Sequence, residues 1–178
     1  MRNATELMVQ YARYHRDRRN IATHFVGIPL IVFAVGVLLA RPVLAQLGGL
    51  PVTPALLAWA AALAWYLARG NLALALATSA VNGVLILLAH PLAQGSSASW
   101  LAWGLGSFAL GWVIQFVGHW FEGRKPAFVD DIVGLLVGPM FVVGEALFAL
   151  GWGRALLAEI ERQAGPTVLR PRGGVHAG

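Results

Sequence analysis

Between Asn20 and Phe121 only Arg41 and Arg69 carry a formal charge, although the 178-residue chain has 13 basic and 8 acidic residues to distribute. So long a stretch with so little that must stay wet is not the exterior of a soluble domain. Soluble chains carry about 25% charged residues, whereas this one has 12%, with 58% hydrophobic. The chain is therefore read as an integral membrane protein. A helix needs ~20 apolar residues to cross the hydrocarbon, so four spans fit in the uncharged middle.

The pattern predicts an all-α polytopic bundle. A first, amphipathic helix is expected over Thr5 to about His15, lying at the interface, with Asp17 to Asn20 breaking it and Asn20 capping the next helix. Spans are expected over Ile21–Ala40, from Pro54 to about Arg69, from the Gly70-Asn71 turn to His90 and Pro91, and over Trp100–Phe121, the last two separated by the polar loop "PLAQGSSAS". A further apolar run, 131–152, holds Pro139 at its centre and is expected to be broken or re-entrant there. The domain reading is one integral-membrane unit over 1–164 and a flexible tail over 165–178, in which His176 is incidental. The apolar run after Asn20 is too long for the core of a cleaved signal peptide. Gly83, Gly104 and Gly106 are read as sites of close helix packing.

The net charge of +5 reflects orientation, not nucleic-acid binding, because no basic run tracks an extended polar face. Five arginines precede Asn20, and Arg124 with Lys125 follow the fourth span, while the intervening exterior loops are nearly free of basic residues. That asymmetry puts the N-terminus and residues 122–131 on the cytoplasmic side. The Ala-, Gly- and Leu-rich composition points to a bacterial inner membrane. There is no cysteine, so any metal must be held by nitrogen and oxygen.

Polar residues nonetheless crowd the mouth of the first span. On one continuous helix His15 and His24 would face opposite ways, but the break at Asp17 to Asn20 lets them converge. Tyr11 lies four before His15 and Asn20 four before His24, which makes each a plausible outer partner of its imidazole. Near the end of the fourth span Gln115, His119 and Glu122 share one face. The span count brings His119 to the same side and depth as His15 and His24, so three imidazoles can meet around one cation. His90 falls at the far end of its helix and is left out.

Tyr11, His15, Asn20, His24 and Pro29, followed by "QFVGH" at 115–119, "FE" at 121–122, "PA" at 126–127 and Asp130, resemble the membrane 2-hydroxy fatty acid dioxygenase family. The resemblance covers most of the chain, and its specificity lies in these two blocks. It implies an iron(II) enzyme of fatty acid α-oxidation that takes a 2-hydroxy fatty acid and dioxygen to the acid one carbon shorter. His15, His24 and His119 would then hold the metal, leaving three positions for a chelating substrate and oxygen. Glu122, Gln115, Tyr11 and Asn20 take supporting or proton-transfer roles, Arg124 or Lys125 offsets the substrate carboxylate, and the acyl chain lies between the first and fourth spans among membrane lipids.

The same three imidazoles also suit zinc and a bound water, the site of a membrane lipid hydrolase. A non-enzymatic lipid-binding or transport protein with proton-carrying histidines is the reading from another class. Oxygen uptake separates the first two, and absence of stoichiometric metal marks the third.

Overall fold

The computed structural model describes residues 1–170. It is all-helical apart from one small hairpin, with seven α-helices. The first, α1 (Ala4–Ala12), opens on a reciprocal cap in which Asn3 accepts from the Glu6 amide and Glu6 accepts from the Asn3 amide. It ends three residues earlier than expected, so His15 belongs to the connecting loop. The first long helix, α2 (Arg18–Leu39), is capped by Asp17, whose carboxylate accepts from the Arg19 amide. Asn20, the expected cap, lies inside the first turn, which frees its side chain for a tertiary contact.

Beyond α2 the chain forms a hairpin that the all-helical expectation did not contain. Strands β1 (Ala45–Leu47) and β2 (Leu50–Val52) are antiparallel, joined by Gly48 and Gly49 at φ 56° and 85°. Two consecutive positive φ values are what a tight two-residue hairpin requires. Thr53 then caps α3 (Pro54–Leu67), with proline at its start. At 14 residues α3 is ~21 Å long, short of the ~30 Å of hydrocarbon, so it does not by itself match the full span expected there.

The helix α4 (Leu72–Ala93) runs through His90 and Pro91, and α5 (Ser97–Glu122) begins at Ser97 under a cap from Ser96. The expected nine-residue polar loop shrinks to Gln94–Ser96. Pro91 has no N–H to give the Leu87 carbonyl, so it costs α4 one hydrogen bond, near the helix end. After a 3-10 turn at Ala127–Val129, α6 (Gly134–Ala149) passes uninterrupted through Pro139. The break expected at Pro139 falls instead at Leu150–Gly153, where Gly151 and Gly153 have φ 85° and 70° and the chain turns by 117° into α7 (Arg154–Ala164). Pro139 costs α6 one hydrogen bond, but both it and Gly138 are buried, Gly138 beside Ile28 of α2 and Tyr11 of α1. The glycine pair redirects the backbone outright.

Three helices, α2, α4 and α5, are long and apolar enough to cross a bilayer, and the bent α6–α7 pair brings the number to four if it counts as one. α2 is the hub, packing on α3, α4, α5 and α6. At one end the cluster Ala40, Ala55 and Ala93 closes the bundle. At the other, α1, α6 and α7 build the main hydrophobic core with Tyr66 and Leu74. Residues such as Leu87, Leu88, Phe116 and Trp120 point outward, more than half exposed, as a lipid-facing surface does.

The α2–α5 seam is built on glycine. A Cβ at Gly27 would lie 2.9 Å from the Gly111 carbonyl oxygen, one at Gly111 2.7 Å from Ile31, and one at Gly118 2.5 Å from Asn20 Oδ1. Gly104 meets Leu38 in the same way and Gly83 meets the Trp59 indole, as expected of both. Gly106 has nothing within 4 Å, so it serves no packing role. Because lipid tails are as apolar as leucine, small residues and close backbone approach, not hydrophobicity, select the inward face.

Candidate metal centre

The loop between α1 and α2 is the first component of the site. As α1 ends, Tyr14 and His15 donate to the carbonyls of Tyr11 and Ala12 at 3.0 Å each, a tight winding that turns His15 inward until it is fully buried. His24 arrives from one turn inside α2 and His119 from the last turn of α5. Their ligand atoms lie within 4.8 Å of one another. The rings of His15, His24 and His119 meet edge to face, with centroids 4.5 to 5.1 Å apart. His90 is at the opposite end of the bundle, in the last turn of α4.

A proton count decides what this cluster needs. His15 Nδ1 lies 2.7 Å from the Tyr11 carbonyl oxygen and His24 Nδ1 lies 2.8 Å from that of Asn20. Each contact requires the imidazole proton on Nδ1. The two Nε2 atoms are then left as bare lone pairs, yet they face each other at 3.0 Å. A third proton is disfavoured, since burial and the two neighbouring imidazoles push His15 well below its ordinary pKa of 6.5. His119 Nδ1 is also buried without a partner. A cation held by the three imidazoles would satisfy these nitrogens. Three neutral nitrogen donors suit Fe, Zn or Cu rather than Mg or Ca.

The contacts that Tyr11 and Asn20 make with the two imidazole Nδ1 atoms come from their backbone carbonyls and not from the side chains that the spacing singled out. The Tyr11 ring also stacks on His15 at 4.0 Å between centroids and 6° between planes. Burial raises its phenol pKa, so it stays protonated. Glu122 sits at the centre of a second knot. Its carboxylate accepts from the amides of Arg16 (3.0 Å) and Asp17 (2.8 Å) and from Asn20 Nδ2 (3.0 Å), and it pairs with Arg170 at 3.0 Å. The end of α5 is thereby tied to the loop that carries His15 and to the first turn of α2. Asp17, held ionised down to a pKa of about 2 chiefly by its hydrogen bonds to Arg19, caps α2 on the other side of the knot.

Beside His24 and His119 lies a cavity of about 70 Å³ with apolar walls from Ile28, Ile31, Val32, Trp112, Phe128 and Leu135. Tyr11 and Gln115 are its polar points, and Gln115 Oε1 is buried without a partner. Arg124 and Lys125 do not line it. Arg124 donates to the Arg13 carbonyl and Lys125 pairs with Asp130, both at the exposed rim.

Three charged residues escaped the sequence reading. Arg16 is buried, its Nε on the carbonyls of Ala12 and His15. Asp17 was read as a helix breaker. Arg170, assigned to the tail, reaches Glu122 and Asp17. The adjacency of Arg16 and Asp17 to His15 was a signal available for the first two.

The first 150 residues match the family model described as 2-hydroxy-palmitic acid dioxygenase Mpo1-like. A relative in Saccharomyces cerevisiae, 2-hydroxy-palmitic acid dioxygenase MPO1, is 34% identical over 154 residues, covering 85% of this chain and 83% of the yeast protein. No solved structure matches.

Proposed function

This chain belongs to the 2-hydroxy-palmitic acid dioxygenase Mpo1-like family, and on that premise we propose that it is a membrane iron(II) dioxygenase of 2-hydroxy fatty acids. The reaction yields the fatty acid one carbon shorter. Atoms balance with one dioxygen consumed and carbon dioxide and water as co-products. The observation that carries the reading is the pair of Nε2 lone pairs 3.0 Å apart with His119 beside them.

His15, His24 and His119 would hold the iron. When bound, iron(II) supplies electrons to dioxygen and open positions for the hydroxyl and carboxylate of the substrate. The protein's own part is placement. The Tyr11 and Asn20 carbonyls fix both Nδ1 protons and so aim the lone pairs. The Tyr11 hydroxyl and Gln115 amide offer hydrogen bonds to the polar head at the cavity wall. Ile28, Ile31, Val32 and Trp112 receive the first methylenes and exclude water, each buried methylene contributing ~0.8 kcal/mol. Arg124 and Lys125, at the rim, draw the anionic head to the mouth without entering it.

The topology belongs to the same proposal. In it α2, α3, α4 and α5 form the membrane bundle and α1 lies at the interface, and the basic N-terminal and 122–131 segments support a site at the cytoplasmic face. A lipid head is presented at that depth, which is where the buried polar residues gather.

The test is oxygen consumption by purified protein on addition of a 2-hydroxy fatty acid, with iron quantified in the same sample. Uptake with one iron per chain is expected. Turnover of an amide or ester lipid without oxygen uptake would overturn the proposal in favour of zinc hydrolysis.

A further inference from the structure

After α7 the backbone turns at Gly165 and runs alongside the His15 loop. The Val168 amide donates to the Arg16 carbonyl at 2.8 Å, and the Arg18 amide donates to the Val168 carbonyl at 2.9 Å, a parallel bridge. Arg18 is the first residue of α2, so its amide has no partner within the helix, and the segment supplies one. The ends of the segment are pinned as well. Arg16 donates to the Gly165 carbonyl at 3.0 Å, and the Arg170 amide donates to Asp17 at 2.9 Å. Arg19 donates to the Arg170 carbonyl at 2.7 Å. The Arg170 guanidinium then meets Glu122, the carboxylate that also holds the Arg16 and Asp17 amides and the Asn20 side chain.

We infer that residues 165–170 are a strap that positions the metal-binding histidines, with Arg170 as its positioning residue. His15 immediately precedes the two amides that Glu122 holds, and the Asn20 carbonyl holds His24. Arg170 neutralises Glu122 within the knot, which allows one buried carboxylate to gather three N–H groups from two segments. The strap lies beyond the 150 residues that match the family model, and it contacts the site through main-chain atoms of Gly165, Val168 and Arg170 and through the Arg170 guanidinium. Val168 keeps its side chain 40% exposed. The inference rests on the proposed metal site for its functional meaning but not for its geometry.

The experiment compares the full chain with Arg170→Ala, Arg170→Lys and Val168→Pro, the last removing the amide that bonds Arg16 and fixing the local φ. Amide hydrogen exchange over residues 15–19 is read without metal, and iron affinity by competition with a chelator. Exchange at Arg16, Asp17 and Arg18 is expected to rise at least 10-fold in Arg170→Ala and Val168→Pro. Iron affinity is expected to fall ~10–100-fold, the usual cost of losing an outer partner, with Arg170→Lys restoring most of both. Unchanged exchange in both disrupting variants overturns the strap. Faster exchange with unaltered iron affinity overturns its positioning role. If the unmodified protein binds no iron, the metal proposal fails, while the exchange result still decides the strap.

Discussion

His15 and His24 face each other through Nε2 atoms 3.0 Å apart, each with its other nitrogen committed to the carbonyl four residues earlier. Both residues are buried, so this leaves two lone pairs opposed, a costly arrangement unless a cation lies between them. Replacing either histidine by alanine removes a ligand and the orienting bond together. His15→Ala, His24→Ala and His119→Ala are each expected to lose bound metal and to lower activity by more than ~100-fold, beyond the effect of an outer partner. His90→Ala should retain both, and metal content of the purified variants checks this.

The opposed lone pairs also predict that metal stabilises the fold. At a free metal concentration 100 times Kd, stabilisation is about 2.7 kcal/mol, which for a chain of this size raises Tm by roughly 5–10 °C. Thermal unfolding with and without a chelator measures it. The shift should vanish in His24→Ala.

Gly118 tests the seam that delivers His119. A methyl there would crowd Thr23 and lie 2.5 Å from Asn20 Oδ1, displacing the residue whose carbonyl orients His24. Gly118→Ala is expected to destabilise by ~1–3 kcal/mol and to weaken metal binding. Gly106→Ala, with open space around it, should stay within ~0.5 kcal/mol of the parent. Denaturation midpoints in detergent distinguish the two.

Cavity filling separates substrate binding from metal binding. Val32 lines the apolar wall of the cavity, and Val32→Phe would occupy room for about three methylenes. At ~0.8 kcal/mol per methylene the loss is about 2.4 kcal/mol, or roughly 50-fold in kcat/KM. Iron content should be unaltered. Steady-state kinetics with a long-chain 2-hydroxy acid, together with metal analysis, are the check.

Glu122→Gln removes the charge from the knot and, with its carbonyl kept where Oε2 accepts from Arg16, Asp17 and Asn20, turns its amide donor toward the Arg170 guanidinium. Charged hydrogen bonds of this kind are worth ~1.5–3 kcal/mol each, so the variant should lose at least that much stability and release metal more readily. Thermal unfolding and chelator competition report both. A variant with wild-type stability would show that the knot is not what holds the loop.

Much of the site was legible because its residues sit at chain-local landmarks. His119 and Glu122 lie one turn apart just before Gly123, and the apolar length of each segment sets which end of the bundle they reach. The same reasoning misplaced features that depend on which local option a neighbour rewards. Asp17 and Asn20 are both good caps, and the Asn20 side chain is instead taken by Glu122, 102 residues away. Pro139 and the Gly151–Gly153 pair are both breakers. Burial of Gly138 and Pro139 against α2 keeps the helix intact at one, while nothing opposes the turn at the other.

The sequence by itself determined that the chain is a bundle of membrane-length apolar helices and that His15, His24 and His119 reach the same end of it. Hydrophobic length and charge asymmetry act through the solvent and need no partner. Only the tertiary structure decided that the imidazoles point their Nε2 atoms at one another, that Glu122 gathers the loop, and that Arg170 closes the knot. Some of those contacts join residues more than a hundred positions apart, Glu122 to Arg16 and Arg170 to Asp17 among them, and main-chain atoms that every sequence possesses make many of them.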